Sequence, residues 1–201
     1  WQMDYMQYHQ YDPNAAKLYM DFLSKVIVPL GQYTIPVITL DKDTPKEAVC
    51  QVFENVNTGG VSLTVFELVT AIFAMDNFEL RKDWEERQKK YFSDDILSVT
   101  SATDFLTACT LLSSYEKGGT VSCKKKDVLN LTLAEYQQYA DDLTEGFVEA
   151  EKILQEERIF SSKDLPYTTQ LIPLAVLCTL LADHNRIKTT SVKNKIKQWY
   201  W

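Results

Sequence analysis

Two adjacent glycines, Gly59 and Gly60, follow Asn57 in the stretch FENVNTGGVSLTVFEL, residues 53–68. Glycine permits positive φ and leaves the backbone N–H groups uncovered by a side chain. A helix is predicted to begin a few residues later, and the N–H groups at a helix N-terminus attract anions. The chemistry that this segment could perform is therefore the binding of a phosphate or another anion.

The same residues also have a purely structural interpretation. Asn57 and Gly59 could adopt left-handed conformations that end one helix and reverse the chain into the next. The segment lacks the lysine of a P-loop and does not follow a predicted strand, so neither of the glycine-rich nucleotide motifs applies. Spacing alone leaves the anion site and the simple corner both open.

Helix signals lie on both sides of the glycine segment. Thr44 precedes Pro45, an order that predicts a capping residue and the first helical position. After the glycines, Thr64 and Glu67 have the spacing of a capping box, which predicts a helix that begins at about Val65. The glycine segment is therefore predicted to join two helices by a tight turn.

Most of the remaining chain has the periodicity of helices. The pattern predicts an N-terminal helix that is capped by Asn14 and ended by Pro29 and Gly31. Thr132 and Glu135 form a second predicted capping box. Further helical stretches are predicted at 78–92, 103–115, 133–159, 167–184 and 191–201. The expected fold class is mainly α.

One strand is predicted, at 33–40, where β-branched residues are frequent. Its Pro36 favours an edge position or a bulge. A lone strand cannot satisfy its own backbone hydrogen-bonding groups, so its partner strands are expected outside this sequence or in the N-terminal stretch. Together with an ending at Trp201 inside an apparent helix, this indicates a fragment of a longer protein.

Composition restricts the class of protein. The 201 residues are 45% hydrophobic, and only 6 Gly and 6 Pro are present, which predicts a folded globular chain. The formal net charge of −7 argues against a whole-surface nucleic-acid ligand, although a local basic patch remains open. No apolar run is long enough to span a bilayer and no signal peptide is visible, so a soluble, cytoplasmic and bacterial protein without membrane contact is expected.

Cysteines and acids suggest no metal site. The four cysteines are widely spaced and form no C-x-x-C pair, so reduced, mostly buried thiols are expected. Acidic residues crowd the helix at 133–159 without a matching histidine, which is typical of a solvated face.

Asp183 and His184 lie at a helix end, where the helix dipole favours histidine. A catalytic pair there would need a nucleophile that the sequence does not offer.

A basic run at 186–199 is the second candidate binding site. It has an arginine and four lysines with no acid, and Trp199, Tyr200 and Trp201 complete it. Lysines beside exposed aromatic rings can hold phosphates and stack on bases. The alternative is an amphipathic terminal helix with solvated lysines and tryptophans that pack on another part of the protein. The short run CKKKD at 123–127 is interpreted as surface.

The stretch at 53–68 resembles the F-x-x-x-N-x-G-x-x-L-[ST]-x-x-E-L segment of domain-of-unknown-function family 262, which includes the S half of the GmrSD modification-dependent restriction systems. The matching positions are Phe53, Asn57, Gly59 or Gly60, Leu63, Thr64, Glu67 and Leu68. LPYTTQLIPLAVL at 165–177 and the terminal KNKIKQWYW also resemble later parts of such proteins. The resemblance covers most of the chain, and the first motif is the most specific.

The resemblance implies a ParB-like α/β core followed by a helical domain. The chain would then hold the C-terminal part of that core at 1–75, with one strand visible, and the helical domain at 76–201. Members of the family are thought to bind and hydrolyse nucleotides through an upstream D-G-Q-Q-R motif, and many continue into an HNH nuclease domain. No D-G-Q-Q-R occurs in this sequence. His9 and His184 are the only histidines, and they cannot supply an HNH constellation.

This fragment is therefore expected to be inactive alone and to carry no cofactor. NTP and Mg²⁺ would belong to the longer parent, an NTPase or endonuclease that acts in DNA restriction. Asn57, Gly59 and Gly60 would face the nucleotide or nucleic acid, and Asn55 and Glu67 would support the turn. Expected partners are nucleotide and DNA through the parent, the remainder of the parent chain, and a second copy in a homo-oligomer.

A rival interpretation belongs to another functional class. The chain could be a helical protein–protein interaction domain in which the glycine turn is only a corner. In that case the apolar helix faces would meet a partner chain, and no anion would bind at the turn.

Overall fold

The computed structural model describes residues 1–35, 64–93, 95–182 and 189–201, and positions 37, 39, 44, 48 and 52. The chain divides into two compact units, Trp1–Lys42 and Asp43–Trp201. No strand occurs among the described residues, which confirms a mainly α fold. Of the predicted strand at 33–40, positions 33–35, 37 and 39 have no regular structure, and the others lie outside the described residues.

The first unit contains three α-helices and a π-helical turn in its described part. These are α1 (Gln2–Tyr8), α2 (Pro13–Phe22), the π-helix Leu23–Ile27 and α3 (Val28–Gln32). The predicted cap at Asn14 is wrong by two residues. The side chain of Asp12 accepts the Asn14 N–H at 3.3 Å, and Pro13 takes the first helical position, where its missing N–H costs no hydrogen bond.

The predicted end of the helix at Pro29 is also wrong, since the helical run continues to Gln32. Inside a regular α-helix, proline lacks the N–H for a hydrogen bond and its ring collides with the preceding turn. Here a π-helical turn, Leu23–Ile27, comes just before Pro29, and Pro29 falls in the first turn of α3. The wider turn and the position at a new helix start explain why Pro29 is tolerated.

The first unit has little core of its own. Among residues 1–35, only Ala15 is buried. Large apolar side chains are instead exposed, with Leu18 at 65%, Phe22 at 51% and Leu30 at 68%. Exposed apolar residues in this number are uncommon on an isolated folded domain.

The described part of the second unit is a helical assembly around one core. Its α-helices are α4 (Val65–Ala74), α5 (Leu80–Tyr91), α6 (Ala102–Glu116), α7 (Lys125–Leu129), α8 (Leu133–Glu156), α9 (Leu171–Ala182) and α10 (Thr190–Tyr200). Short 3₁₀ turns lie at Leu97–Val99, Ser162–Asp164 and Thr168–Gln170. Helix α8 is the longest, and α6 and α9 pack against it.

Aromatic rings form the centre of this core. Phe105 on α6 contacts Phe92, Phe147 on α8 and Tyr136, with ring centroids 5.9 to 6.2 Å apart. Trp84 on α5 lies 5.4 Å from Phe105. Each of these rings is at most 6% exposed, so helices α5, α6 and α8 are held together mainly by buried aromatic area.

Gly146 allows α8 and α9 to approach closely. A Cβ at this position would lie 2.1 Å from Thr179 Oγ1 and 2.7 Å from the Ala175 carbonyl oxygen. Real Cβ atoms do not come so near to a backbone oxygen, so only glycine fits without moving one of the helices. The glycine is required by packing, because it lies inside a helix and away from any turn.

The sequence patterns located several helix ends correctly. The Thr64–Glu67 and Thr132–Glu135 capping boxes both form, and α4 and α8 begin directly after the two threonines. Helix α6 ends at Glu116, and Gly118 and Gly119, which follow it, have φ of 74° and 88°. The helix predicted after Thr44 lies largely outside the described residues, although positions 48 and 52 are helical.

Helix α4 packs on α5, α6 and α7 within the second unit. The domain boundary predicted between residues 75 and 76 would separate α4 from these helices, and it remains a prediction. In the part of the chain that the structure describes, no helix is long and apolar enough to cross a bilayer.

Candidate functional site

Four of the five predicted site residues, Asn55, Asn57, Gly59 and Gly60, lie outside the described residues. The fifth, Glu67, lies in the first turn of α4, the helix that begins five residues after Gly60. Of this candidate site, the structure describes the helix start that follows the glycine segment.

Glu67 closes the N-terminus of α4. Its Oε2 accepts the Thr64 N–H at 2.6 Å and the Thr64 hydroxyl at 3.1 Å, while the Glu67 N–H donates to Thr64 Oγ1 at 3.3 Å. These hydrogen bonds to the charged form hold the pKa of Glu67 below its usual value. The carboxylate thus serves the helix itself, as expected for a residue that supports the turn.

Two N–H groups at this helix start remain free of intrahelical bonds. The first N–H groups of any helix have no partner within it, and here the capping box satisfies those of Thr64 and Glu67. The capping box does not include the N–H groups of Val65 and Phe66. The positive end of the helix dipole lies at the same place.

Arg81 adds a positive charge that the sequence analysis missed. Its guanidinium carbon lies 5.6 Å from the centroid of the Phe66 ring, in cation–π contact across α4 and α5. Its charge also contributes, as a minor cause, to the lowered pKa of Glu67. Arg81 is exposed, so its donor groups can reach an anion. The charged run LRKDWEER at 80–87 contains two arginines, and nothing in it indicates that Arg81 makes this contact.

A second group of charged residues surrounds Arg87. Arg87 Nε lies 2.8 Å from Asp83 Oδ2, and Tyr136 donates its hydroxyl proton to the same oxygen. Arg87 also donates to the Ala140 carbonyl and to Thr144 Oγ1 at 3.2 and 3.0 Å. An open cleft of about 450 Å³ borders this cluster.

The protonation behaviour of this cluster argues against acid–base catalysis. Burial raises the pKa of the Tyr136 phenol, and its hydrogen bond to Asp83 raises it further. Burial opposes the charge of Arg87, but the hydrogen bonds to Asp83 and Asp141 raise the pKa of the guanidinium overall. Neither group can exchange a proton near neutral pH, so the cluster acts as a connection between α5 and α8.

A third group, on α6 and α8, combines a serine, a lysine and a glutamate. Ser113 Oγ donates to Glu135 Oε1 at 2.9 Å, and Lys117 forms an ion pair with the same carboxylate. Burial opposes ionisation of Glu135, but hydrogen bonds from Lys117, Thr132 and Ser113 hold its pKa at about 2. So weak a base cannot activate Ser113 as a nucleophile, and the group has a structural role.

The basic run near the C-terminus is partly neutralised. Lys193 lies 2.7 Å from Glu156, and Lys197 lies 3.0 Å from Glu156 and 2.8 Å from Glu157. Trp201 Nε1 donates to Glu157 Oε2 at 3.2 Å. These contacts attach α10 to the end of α8, so two of the lysines proposed for phosphate contacts already have carboxylate partners.

Some of the other predicted candidates lie outside the described residues, and others have ion-pair partners. Asp183, His184 and the basic residues at 186 and 188 lie outside the described residues. Of the acids on α8, Asp141 pairs with Arg87 at 2.7 Å and Glu149 pairs with Lys152 at 3.0 Å. Among the described residues, no group of three or more His, Cys, Asp or Glu side chains could hold a metal ion.

The described cysteines are free thiols, and Cys50 lies outside the described residues. Cys109 and Cys178 are buried, while Cys123 is only partly so. Burial raises the pKa of the Cys178 thiol to about 12 and that of Cys109 further. The two buried thiols are therefore unreactive at neutral pH.

No family model, curated protein or solved structure matches this chain. The resemblance to family 262 therefore depends on the motif residues alone.

Proposed function

We propose that this chain is part of a ParB-like protein related to the GmrSD restriction systems, and that it provides one wall of a nucleotide or nucleic-acid phosphate site. The wall would consist of the glycine segment at 57–60 and the start of α4. The parent protein would use nucleotide binding to control restriction of DNA in the cytoplasm. The D-G-Q-Q-R motif expected to carry the chemistry would lie upstream of these residues.

The observation that supports this proposal most is the helix start at Val65. Its capping box forms, so a helix N-terminus, the positive end of the helix dipole, follows the glycine segment within five residues. Arg81 adds a positive charge beside the same turn. A phosphate is the ligand that helix N–H groups and an arginine attract together.

Glu67 limits what this wall can do. Its carboxylate repels a phosphate, and it is held in the capping box by Thr64. We therefore assign Glu67 to support of the turn, with Asn57, Gly59 and Gly60 as the ligand-facing residues. No acid–base pair among the described residues is suited to hydrolysis, so this piece should be inactive alone.

The proposal is tested by isothermal titration calorimetry with ATP and GTP in the presence of Mg²⁺. Two proteins are compared, the 201-residue chain and a longer parent that carries D-G-Q-Q-R. If only the parent binds, the residues that hydrolyse the nucleotide lie upstream of this chain, which then serves as scaffold and one wall of the site. Binding by neither would contradict the proposal.

The exposed apolar surface of the first unit favours a second candidate function, that of a helical protein–protein interaction domain. Leu18, Phe22 and Leu30 lie on helices whose described residues bury almost nothing. Sedimentation velocity of the chain and of its Leu18→Lys variant tests this candidate. A concentration-dependent dimer of the unmodified chain that is absent in Leu18→Lys would support self-association through this surface. If the unmodified chain and the variant are both monomers, self-association is contradicted.

A further inference from the structure

Three buried side-chain polar atoms have no hydrogen-bond partner among the described residues, and two of them belong to residues on or beside the turn Thr168–Gln170. They are Thr100 Oγ1, Gln170 Oε1 and Tyr200 OH. Thr100 lines a cavity together with Thr168 and Thr169, and Gln170 Nε2 lies 3.5 Å from the Tyr200 carbonyl oxygen. Buried polar groups in folded proteins nearly always have a partner, so the unpaired Thr100 Oγ1 beside this cavity calls for a bound ligand.

The cavity beside Thr100 has a volume of about 20 Å³ and lies between two helix starts. Thr100 and Asp104 come from the start of α6, and Thr168 and Thr169 form the turn that leads into α9. Thr100 is 4% exposed, so bulk solvent does not satisfy its hydroxyl. A cavity of this size holds a ligand about as large as one water molecule.

We propose that one ordered water molecule binds in this cavity and bridges Thr100 Oγ1 to the polar groups opposite, namely Asp104, Thr168 and Thr169. A water needs two to four polar partners, and the residues that line the cavity carry three hydroxyl groups and one carboxylate. Asp104 already accepts the Ser101 N–H at 2.9 Å and the Ser101 hydroxyl at 2.7 Å, and its carboxylate can accept further hydrogen bonds.

Charge excludes the other ligands of similar size. The carboxylate of Asp104 disfavours a halide in the cavity. A monovalent cation would face the positive ends of the α6 and α9 dipoles. Water is neutral, both donates and accepts hydrogen bonds, and is therefore the ligand that fits this set of groups.

The sign of the Tm change in one variant tests the proposal. Thr100→Val keeps the shape of the side chain and removes the hydroxyl. If the hydroxyl binds a water, the variant leaves that water short of a partner and the Tm falls. If the hydroxyl is unpaired, replacing it with a methyl group stabilises the fold and the Tm rises, which would overturn the proposal.

Thr110→Val is the matched control. Thr110 is equally buried, but its hydroxyl donates to the Leu106 carbonyl at 2.8 Å, so no water is needed there. A crystal structure that shows ordered waters provides the direct readout. It should contain a water within hydrogen-bond distance of Thr100 Oγ1 in the unmodified protein and none there in Thr100→Val. An empty cavity in the unmodified protein, or bromide density there after soaking, would overturn the proposal.

Discussion

Arg87 Nη2 lies 2.7 Å from Asp141 Oδ1 and joins α5 to α8, yet the two side chains have very different environments. The Arg87 side chain is 15% exposed and Asp141 is 87% exposed. Arg87 also binds Asp83, the Ala140 carbonyl and Thr144 from its nearly buried position. The stability of the cluster should therefore depend on the arginine and little on Asp141.

Arg87→Ala should lower the free energy of unfolding by about 3 kcal/mol, because it leaves Asp83 and Tyr136 without their cationic partner. Asp141→Asn should cost less than about 1 kcal/mol, since exposed ion pairs contribute little. Urea unfolding of the two variants checks the difference. Equal losses would show that the exposed pair, rather than the network around Arg87, carries the stability.

Gly146→Ala should destabilise the chain by about 1–3 kcal/mol, because a Cβ would collide with Thr179 and the Ala175 carbonyl and push α8 away from α9. Gly31→Ala is the matched control, since a Cβ at Gly31 meets nothing within 4 Å. That control should be neutral or stabilising by up to about 1 kcal/mol. Thermal unfolding of both variants provides the test, and a harmless Gly146→Ala would refute the close approach of the two helices.

The free energy of unfolding should fall in acid, because the carboxylate of Glu135 becomes protonated. Its pKa is about 2 in the folded chain, well below the ordinary value of 4.5 for a glutamate carboxyl group. A depressed carboxylate contributes stability that is fully present above about pH 4.5 and is lost as the pH falls toward 2. Glu135→Gln should therefore weaken the chain at pH 6 more than at pH 3, as measured by urea unfolding. Glu85→Gln, an exposed acid on α5, is the control, and an identical pH dependence for both variants would contradict the assignment.

Helix starts were the most predictable part of this fold, because they depend on residues three positions apart. Thr64 with Glu67 and Thr132 with Glu135 predicted two capping boxes that both form. The predicted cap at Asn14 is wrong, because Asp12 is an equally good capping residue by type and the backbone places it at the helix start. The continuation past Pro29 was missed, because a π-helical turn has no pattern in the sequence.

Contacts between distant residues were not predictable in the same way. The cation–π contact of Arg81 with Phe66 and the hydrogen bonds of Arg87 to α8 join positions that only the packing of helices brings together. The pairing of Lys193 with Glu156 joins residues 37 apart in the chain, so the basic run at 186–199 could not be recognised as partly neutralised. The residues at 53–60, which carry the functional proposal, remain a prediction from sequence.

Arg81→Ala should weaken nucleotide binding by the longer parent about ten- to a hundredfold, because a charge-assisted contact to phosphate contributes about 1.5–3 kcal/mol. Lys82→Ala is the matched control, since Lys82 is the next residue along α5 and its Nζ lies 4.0 Å from Glu79 Oε2. Calorimetric titration with the same nucleotide measures both. If both variants bind as tightly as the unmodified parent, the start of α4 contributes no phosphate contact.

The most direct test is the rate of nucleotide hydrolysis by the Asn57→Ala variant of the longer parent, with Gln138→Ala at an exposed position of α8 as control. Asn57→Ala should lower turnover while its thermal unfolding is unchanged, and Gln138→Ala should retain full turnover. Unchanged turnover in a folded Asn57→Ala protein would contradict the assignment of the glycine segment to a nucleotide site.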